Sequence, residues 1–225
     1  MRLPLEKQSL AIFDLDNTLL GGDSDHAWGE FLIQQGLVDA DEHRQRNDLF
    51  YAAYQDGSLD INAYLKFALQ PITGQSPSEL APLQQTFLQQ MIEPMRLSKA
   101  EALLDTHRNQ GDQLLIITAT NDFITRPIAN WLGVNHLLAC QAEIVNGCYT
   151  GRAVGTPCFQ QGKVIRLQEW LQDKAFDLSQ ATFYSDSCND LPLLEAVGKP
   201  VAVDADDRLR AHAQKYGWKC ISLRD

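Results

Sequence analysis

Two aspartates, Asp14 and Asp16, end an apolar run and are separated by a single leucine. The preceding residues, Leu10–Phe13, are typical of a short interior strand of a parallel sheet, apolar on both faces. Because side chains alternate along a strand, both carboxylates should point to the same side. Carboxylates held this close repel each other unless a proton or a metal ion intervenes. The pair therefore predicts acid–base or metal chemistry, since folding alone gains nothing from it.

Polar residues also follow other strand-like runs. Thr118 ends the run LLIIT, Asp186 ends ATFYSD, and Asp190 comes one helical turn later. Lys163 begins a predicted helix between these runs. Ligands of open α/β sheets lie at the carboxyl ends of the strands, so these groups should converge. Carboxylates that converge with a lysine and a hydroxyl can hold Mg²⁺ and a phosphoryl group, because Mg²⁺ prefers carboxylate oxygens and retains several waters.

The elements that must position these residues alternate between strand and helix. Strand-like runs are LAIFDLD, QLLIITAT, NHLLACQAEI, ATFYSD, PVAVDAD and KCISL, and helical stretches lie between several of them. This alternation implies right-handed crossovers and a parallel sheet covered on both faces. We therefore predict an α/β fold with a doubly wound, Rossmann-like core formed by residues 1–20 and 96–225. Residues 21–95 have only helical periodicity and should form an all-helical insertion after the first strand, here called the cap.

Short local signals predict where three elements begin or turn. Ser76 with Glu79, and Ser98 with Glu101, have the spacing of a capping box at a helix N-terminus. Asn146–Gly147 is typical of the turn of a β-hairpin.

Composition limits the class of protein. The 225 residues carry a net charge of −10, which argues against nucleic acid or an anionic membrane as a partner. No apolar run has membrane-spanning length, and residues 1–8 lack the apolar stretch of a signal peptide. The five cysteines never form CxxC, a pattern that favours reduced thiols. We expect a cytoplasmic protein that acts on a small molecule.

Four motif positions together point to a family. DLDNT (Asp14–Thr18), Thr118, Lys163 and DSCND (Asp186–Asp190) occur in the order, and with the residue types, found in the haloacid dehalogenase (HAD) superfamily of aspartate-nucleophile phosphatases. The chain resembles that family over nearly its whole length.

The resemblance implies roles for the catalytic and phosphate-binding residues. Asp14 would be the nucleophile that takes the phosphoryl group as an aspartyl phosphate. Asp16 would protonate the leaving alkoxide and then activate water as a base. Thr118 and Lys163 would hold the transferring phosphate.

The resemblance also implies a metal site. Mg²⁺ would be held by the Asp14 carboxylate, the Asp16 main-chain carbonyl and Asp186. Asp190 would support this site, directly or through another ligand. An alternative is that Asp190 caps the helix that follows it.

The position of the cap resembles that of the phosphoserine-phosphatase-like branch of the family. The stretch DLDNTLLGGDSDHAWGEFL resembles a bacterial group in this branch that includes histidinol-phosphate phosphatases. Caps of this kind close over the substrate and exclude water.

Charge in the cap indicates which leaving group it selects. Residues 21–95 hold eleven acidic residues against Arg44, Arg46 and Lys66, so they account for −8 of the net charge. A phosphoserine enzyme needs an arginine for the substrate carboxylate, whereas HRQR, which contains both arginines, is typical of a solvated helix face. The balance favours a cationic leaving group without a carboxylate, such as that of histidinol phosphate. Phosphoserine and a broad range of small phosphate esters remain alternatives.

Three residues are tentative substrate contacts. Asp23 and Asp25 could bind an amine, or Asp25 could cap the helix HAWGEFL with Asp23 solvated. Asn121 could line the phosphate site or belong only to the loop before the next helix.

Three other functions can be weighed against the same motif residues. A dehalogenase of this fold needs neither a metal nor a second acid at position 16, so Asp16 and Asp186 argue against it. A phosphotransferase would keep every motif and pass phosphate to an alcohol. A non-enzymatic role is disfavoured because every expected catalytic position is filled.

Overall fold

The computed structural model describes residues 9–224; residues 1–8, which include part of the predicted core and the segment tested for a signal peptide, lie outside the described residues. A seven-stranded sheet has the order β4-β3-β2-β1-β5-β6-β7. The strands are β1 (Leu10–Phe13), β2 (Gln113–Asn121), β3 (His136–Val145), β4 (Cys148–Val154), β5 (Thr182–Ser185), β6 (Lys199–Val203) and β7 (Lys219–Ile221). All neighbouring pairs are parallel except β3 and β4, which are antiparallel. The mostly parallel sheet confirms the predicted fold class.

Nine α-helices occur in the described part of the chain. They are α1 (Ser24–Gln34), α2 (Ala40–Asp56), α3 (Ile61–Leu69), α4 (Pro77–Phe87), α5 (Ser98–Asn109), α6 (Asp122–Trp131), α7 (Gln161–Leu171), α8 (Leu191–Leu194) and α9 (Asp207–Tyr216). Short 3₁₀ turns at Gln70–Ile72, Glu93–Met95 and Cys188–Asp190 and a π-turn at Leu88–Ile92 connect some of them.

Helices cover both faces of the sheet, and the β1 side chains that point to each face are apolar. Ala11 and Phe13 pack into one buried cluster, which includes residues of α5 and α6. Leu10 and Ile12 pack into a second cluster, which includes residues of α7, α8 and α9. This alternation gives the doubly wound arrangement.

The chain between β1 and β2 is entirely helical. Where the chain leaves β1 and where it returns, Leu20 pairs with Arg96 in an antiparallel bridge, and the Gly21 N–H donates to Met95 O at 2.7 Å. These contacts lie at the predicted limits of the cap, residues 21–95, and the division into two domains stays a prediction. Trp28 of α1 belongs to the same buried cluster as Phe13, so apolar packing continues from the sheet into the cap.

The local signals had different outcomes. Ser76 and Glu79 form both bonds of a capping box at the start of α4, as predicted. The prediction for Ser98 and Glu101 is wrong: α5 begins at Ser98 itself, and Glu101 forms an ion pair with Arg96 at 2.6 Å. Because α5 begins at Ser98, this serine is the first helical residue and not the N-cap that a capping box needs. The Glu101 carboxylate instead pairs with Arg96, which precedes the helix.

The hairpin and the cysteines match expectation. Asn146 and Gly147 both have positive φ, 53° and 80°, between the paired Val145 and Cys148. All five cysteines are free thiols. Within residues 9–224 no helix combines the length and the apolar composition needed to cross a membrane.

Candidate active site

The predicted site residues meet at the carboxyl edge of the three central strands. Because β1 lies between β2 and β5, Asp14 after β1 is flanked by Thr118 near the end of β2 and Asp186 after β5. The main-chain N–H of Asp14 donates to Tyr184 O at 2.9 Å and extends the β1–β5 pairing to the aspartate itself.

Lys163 joins two of the predicted carboxylates. It lies in the first turn of α7, and its side chain is only 1% exposed. Nζ donates to Asp14 Oδ1 at 2.8 Å and is 2.7 Å from Asp190 Oδ1. Burial would lower the pKa of Lys163, but Asp14 and Asp190 outweigh burial and raise it. The lysine is therefore a fixed positive charge beside Asp14.

Asp190 is held on both sides by protein donors. Besides Lys163, Ser185 Oγ donates to its Oδ2 at 2.7 Å. Asp190 makes no side-chain bond to the helix that follows, so the alternative of a helix cap is not observed. We propose that Asp190 orients Lys163 and supports the metal site indirectly.

Asp14 is a buried carboxyl with one firmly bonded oxygen. Oδ1 accepts from Lys163, whereas Oδ2 has Thr18 Oγ1 at 3.5 Å. Burial, together with the charges of Asp190 and Asp16, raises the pKa of Asp14 to about 7, although Lys163 acts to lower it. A carboxyl in this setting releases its proton readily only when further positive charge is near.

Asp16 is oriented differently. The Ser24 N–H donates to its Oδ1 at 2.7 Å, and Thr120 Oγ1 donates to its Oδ2 at 2.8 Å. Burial and the nearby Asp23 raise the pKa of Asp16 to about 6. A carboxyl with a pKa close to neutral suits proton transfer in both directions.

Asp186 and Thr18 close the other side of the site. Thr18 Oγ1 donates to Asp186 Oδ1 at 2.9 Å and accepts from the Asp186 N–H at 3.1 Å. Burial and the charge of Asp14 raise the pKa of Asp186 well above its usual value.

The donor set fits a divalent cation that keeps water ligands. Within residues 9–224 no three His, Cys, Asp or Glu side chains converge as a metal centre made by side chains alone. Mg²⁺ normally takes one or two carboxylates, with waters and substrate oxygens completing an octahedron. Asp14 and Asp186 provide two such carboxylates, and burial raises the pKa of both, which a bound cation would reverse.

The site opens into a cavity between the sheet and the cap, called here the acidic cavity. Four carboxyls line it: Asp14, Asp16, Asp23 and Asp25. Four aromatic rings of α2 and α3 line the side opposite the sheet: Phe50, Tyr51, Tyr54 and Tyr64. Thr118 and Thr120 line the sheet side. Neither Lys nor Arg is among the described lining residues, so the cavity suits a cationic molecule.

The cap is fastened to the core next to this site. Asn189 Nδ2 donates to Tyr54 O at 2.8 Å, and Gln160 Nε2 donates to Asn189 Oδ1 at 3.2 Å. The first bond joins the C-terminal part of α2 to the core, and the second orients Asn189 to make it.

Two of the tentative substrate contacts line the acidic cavity, and the alternative in which Asp25 caps the helix and Asp23 is solvated is not observed. Asp23, not Asp25, is the N-cap of α1, and its Oδ1 accepts from the N–H groups of Asp25 and His26. Asp25 lies in the first turn and faces the cavity. Asn121 does not line the cavity: its Oδ1 accepts from Ile124 N at 3.2 Å and caps α6. Asn121 is the last residue of β2 and the N-cap of α6, so no loop separates the strand from the helix, and its contact with the phosphate stays a prediction.

Sequence reasoning missed three hydroxyl residues that hold the carboxylates. Thr120 binds Asp16, Ser185 binds Asp190, and Thr18 binds Asp186. Thr120 is two residues after Thr118, so strand alternation could have placed both on one side.

We expect Gly162→Ala to lower activity by displacing Lys163. A Cβ at position 162 would clash with the main-chain Pro157 O, so the first turn of α7 must shift. A displacement of about 1 Å in a catalytic group costs about 100-fold in kcat/KM. Kinetics and crystal structure of the variant test this, with the exposed neighbour Gln161→Ala as control. Unchanged kinetics in Gly162→Ala would show that the position of Lys163 tolerates the shift.

This chain is similar to known proteins over most of its length. A profile of the haloacid dehalogenase-like hydrolases matches residues 11–195. A histidinol-phosphatase from Neisseria meningitidis serogroup C (strain 8013) is 43% identical over 221 residues, covering 96% of this chain and 100% of that protein. Phosphoserine phosphatase SerB1 of Mycobacterium tuberculosis (strain H37Rv) is 32% identical over 227 residues, 98% of this chain and 73% of that protein. A crystal structure of a Bordetella pertussis Tohama I protein of unknown function has a TM-score of 0.89 and 42% identity, covering 96% of this chain and 99% of that chain.

Proposed function

Since this chain belongs to the haloacid dehalogenase-like hydrolase family and is a phosphatase, we propose that it hydrolyses a small phosphate ester with a cationic leaving group, best represented by histidinol phosphate. The acidic cavity carries this proposal, because four carboxyls and no described Lys or Arg line it. The 43% identity with the Neisseria histidinol-phosphatase supports the same substrate.

The first step transfers the phosphoryl group to Asp14. Lys163 and Thr118 hold the phosphate oxygens at the carboxyl edge of the sheet. An oxygen of Asp14 attacks phosphorus while the bond from phosphorus to the alkoxide oxygen breaks, giving an aspartyl phosphate. Lys163 offsets the charge of both the carboxylate and the phosphate, which is the main requirement of phosphoryl transfer.

Asp16 transfers a proton in each of the two steps, first as an acid and then as a base. Its protonated carboxyl gives a proton to the leaving alkoxide, so histidinol departs as an alcohol. The resulting carboxylate then takes a proton from water, which attacks phosphorus and frees Asp14 and inorganic phosphate. Bonds from Ser24 and Thr120 keep Asp16 in place for both steps.

Mg²⁺, held by the Asp14 carboxylate, the Asp16 main-chain carbonyl and Asp186, would supply charge neutralisation at the phosphate when bound. The buried oxygen ligands described above support this assignment. Removal of divalent cations with a chelator should abolish turnover, and Mg²⁺ should restore it.

The alternative substrate, phosphoserine, has a carboxylate that the acidic cavity would repel. Arg44 and Arg46 lie on the exposed face of α2, and Arg44 pairs with Glu30. Neither arginine is among the residues that line the cavity. The Mycobacterium relative keeps phosphoserine as the second candidate.

A panel of phosphate esters tests the proposal. With Mg²⁺ present, kcat/KM should be highest for histidinol phosphate and at least about 100-fold lower for phosphoserine, since one adverse buried charge costs about 3 kcal/mol. Phosphate release without an added alcohol separates a hydrolase from a phosphotransferase. Preference for phosphoserine, or equal low rates throughout, would contradict the proposal.

We also expect Arg44→Ala to leave kcat/KM within about 2-fold for every ester, because exposed ion pairs contribute little. A selective loss of phosphoserine turnover in this variant would mean that Arg44 enters the site, and it would contradict selection of a cationic leaving group by the cap. Arg152→Ala, on β4 outside the cap, removes a similar exposed pair of an arginine with a glutamate and is the matched control.

A further inference from the structure

The proposed chemistry uses neither Asp23 nor Asp25 of the acidic cavity, and only Asp23 has a structural role, as the N-cap of α1. Asp25 lies in the first turn of α1 and is 8% exposed. Its Oδ1 has no hydrogen-bond partner, whereas Asp23 Oδ1 accepts from two main-chain N–H groups. A buried carboxylate oxygen without a donor costs free energy, so its retention needs an explanation.

The protein holds the Asp25 carboxyl in position without neutralising it. Two neutral hydroxyls, Tyr64 of α3 and Thr120 of β2, act on this carboxyl and lower its pKa as hydrogen-bond donors, but neither carries a charge. Within the described residues no ion pair involves Asp25, and the charges that act on it most are those of two other carboxylates, Asp23 and Asp16. Burial and these charges raise its pKa well above the usual value. Oδ1 can accept a hydrogen bond, and a positively charged donor would also offset the repulsion from Asp23 and Asp16, so such a donor complements this carboxyl best.

The surroundings of Asp25 also indicate the shape of that donor. Asp25 and Tyr64 both belong to cap helices, whereas Asp14 and Lys163 belong to the core, and the Asp25 carboxyl also interacts with Thr120 and Asp16 at the edge of the sheet. Phe50 packs against Tyr64 with ring centroids 5.2 Å apart, and both rings line the cavity. A leaving group that extends from the phosphate into the cavity is therefore bounded by these aromatic rings and by the Asp25 carboxyl.

We propose that Asp25 Oδ1 accepts a hydrogen bond from a ring N–H of a flat, cationic heteroaromatic leaving group, with Tyr64 orienting the carboxyl. This deepens the proposed function and rests on it. Asp25 is a specificity residue and takes no part in phosphoryl transfer. It distinguishes an ester that carries such a ring from one that carries only an amine.

Two esters isolate the ring contact. Histidinol phosphate has an amine and an imidazole ring, whereas phosphoethanolamine has an amine and no ring. Asp25→Asn keeps the size of the side chain and removes its charge. We expect kcat/KM for histidinol phosphate to fall about 10- to 100-fold, mainly through KM, because a charge-assisted hydrogen bond is lost. For phosphoethanolamine, kcat/KM should change by less than about 2-fold, since that ester makes no contact with Asp25.

Two further variants keep the test decisive. Tyr64→Phe keeps the Asp25 carboxyl but loosens it, so KM for histidinol phosphate should rise about 3- to 10-fold with phosphoethanolamine unaffected. Asp41→Asn removes an exposed acid of α2 and should change neither ester, which controls for overall cap charge.

The wild-type and variant arms separate the two proposals. If wild-type enzyme does not prefer histidinol phosphate, the proposed function fails and this inference fails with it. If the preference holds but Asp25→Asn and Tyr64→Phe change both esters equally, or change neither, only the inference is overturned. Selective loss with histidinol phosphate in both variants supports it.

Discussion

Replacement of Asp14 by asparagine is expected to lower phosphate release by at least about 10⁴-fold, the scale on which loss of a nucleophile acts. An amide cannot form an acyl phosphate by attack of a carboxylate oxygen. The amide oxygen can still accept from Lys163, so the fold should persist. Steady-state release of phosphate from histidinol phosphate, with circular dichroism of the variant, measures both points.

The control for Asp14→Asn is Asp173→Asn, which removes an exposed acid in the segment after α7. It should retain wild-type kinetics. If Asp14→Asn kept more than about a tenth of the wild-type rate, Asp14 could not be the group that takes the phosphoryl group.

Replacement of Lys163 by methionine is expected to lower both activity and stability. The ammonium group is buried between Asp14 and Asp190, and without it two buried carboxyls face each other. Breaking a buried ion pair by removal of one partner costs about 3–5 kcal/mol. The phosphate also loses its fixed positive charge, so kcat/KM should fall by about 10³-fold.

Urea unfolding in the absence of divalent cations measures the stability loss, and phosphate release measures the catalytic one. A second variant, Lys163→Met with Asp190→Leu, removes one of the facing charges and should recover part of the stability but none of the activity. Recovery of activity in the double variant would show that Lys163 acts only by balancing Asp190.

The strand ends were predictable because they depend on local patterns. An apolar run followed by Asp14, Thr118 or Asp186 predicts a buried parallel strand with a polar residue near its carboxyl end. Because the strands are parallel, these residues lie at the same edge of the sheet. Lys163 was placed by the same reasoning, since a helix that follows the hairpin and precedes β5 packs on the sheet with its first turn at that edge. These inferences need only strand alternation and crossover handedness.

The contacts inside the cap were less predictable because they depend on tertiary packing. Asp23 and Asp25 both have the residue type of an N-cap, and one residue of difference decides which faces the cavity. Tyr64 reaches Asp25 from another helix, and nothing in the sequence fixes the angle between α1 and α3. The sequence allowed Asn121 to be either a phosphate contact or part of the connection to the next helix. Its side chain accepts from Ile124 N of α6, and the sequence does not show whether this bond or one to a ligand is favoured.

Trapping of the covalent intermediate tests the central claim most directly. Wild-type enzyme turning over histidinol phosphate with Mg²⁺ would be quenched in acid, and acyl phosphates would be reduced with borohydride and located by peptide mass spectrometry. The account predicts that the residue at position 14 is converted to homoserine, and that no conversion occurs without substrate. Conversion of a different carboxyl, with Asp14 intact, would contradict it.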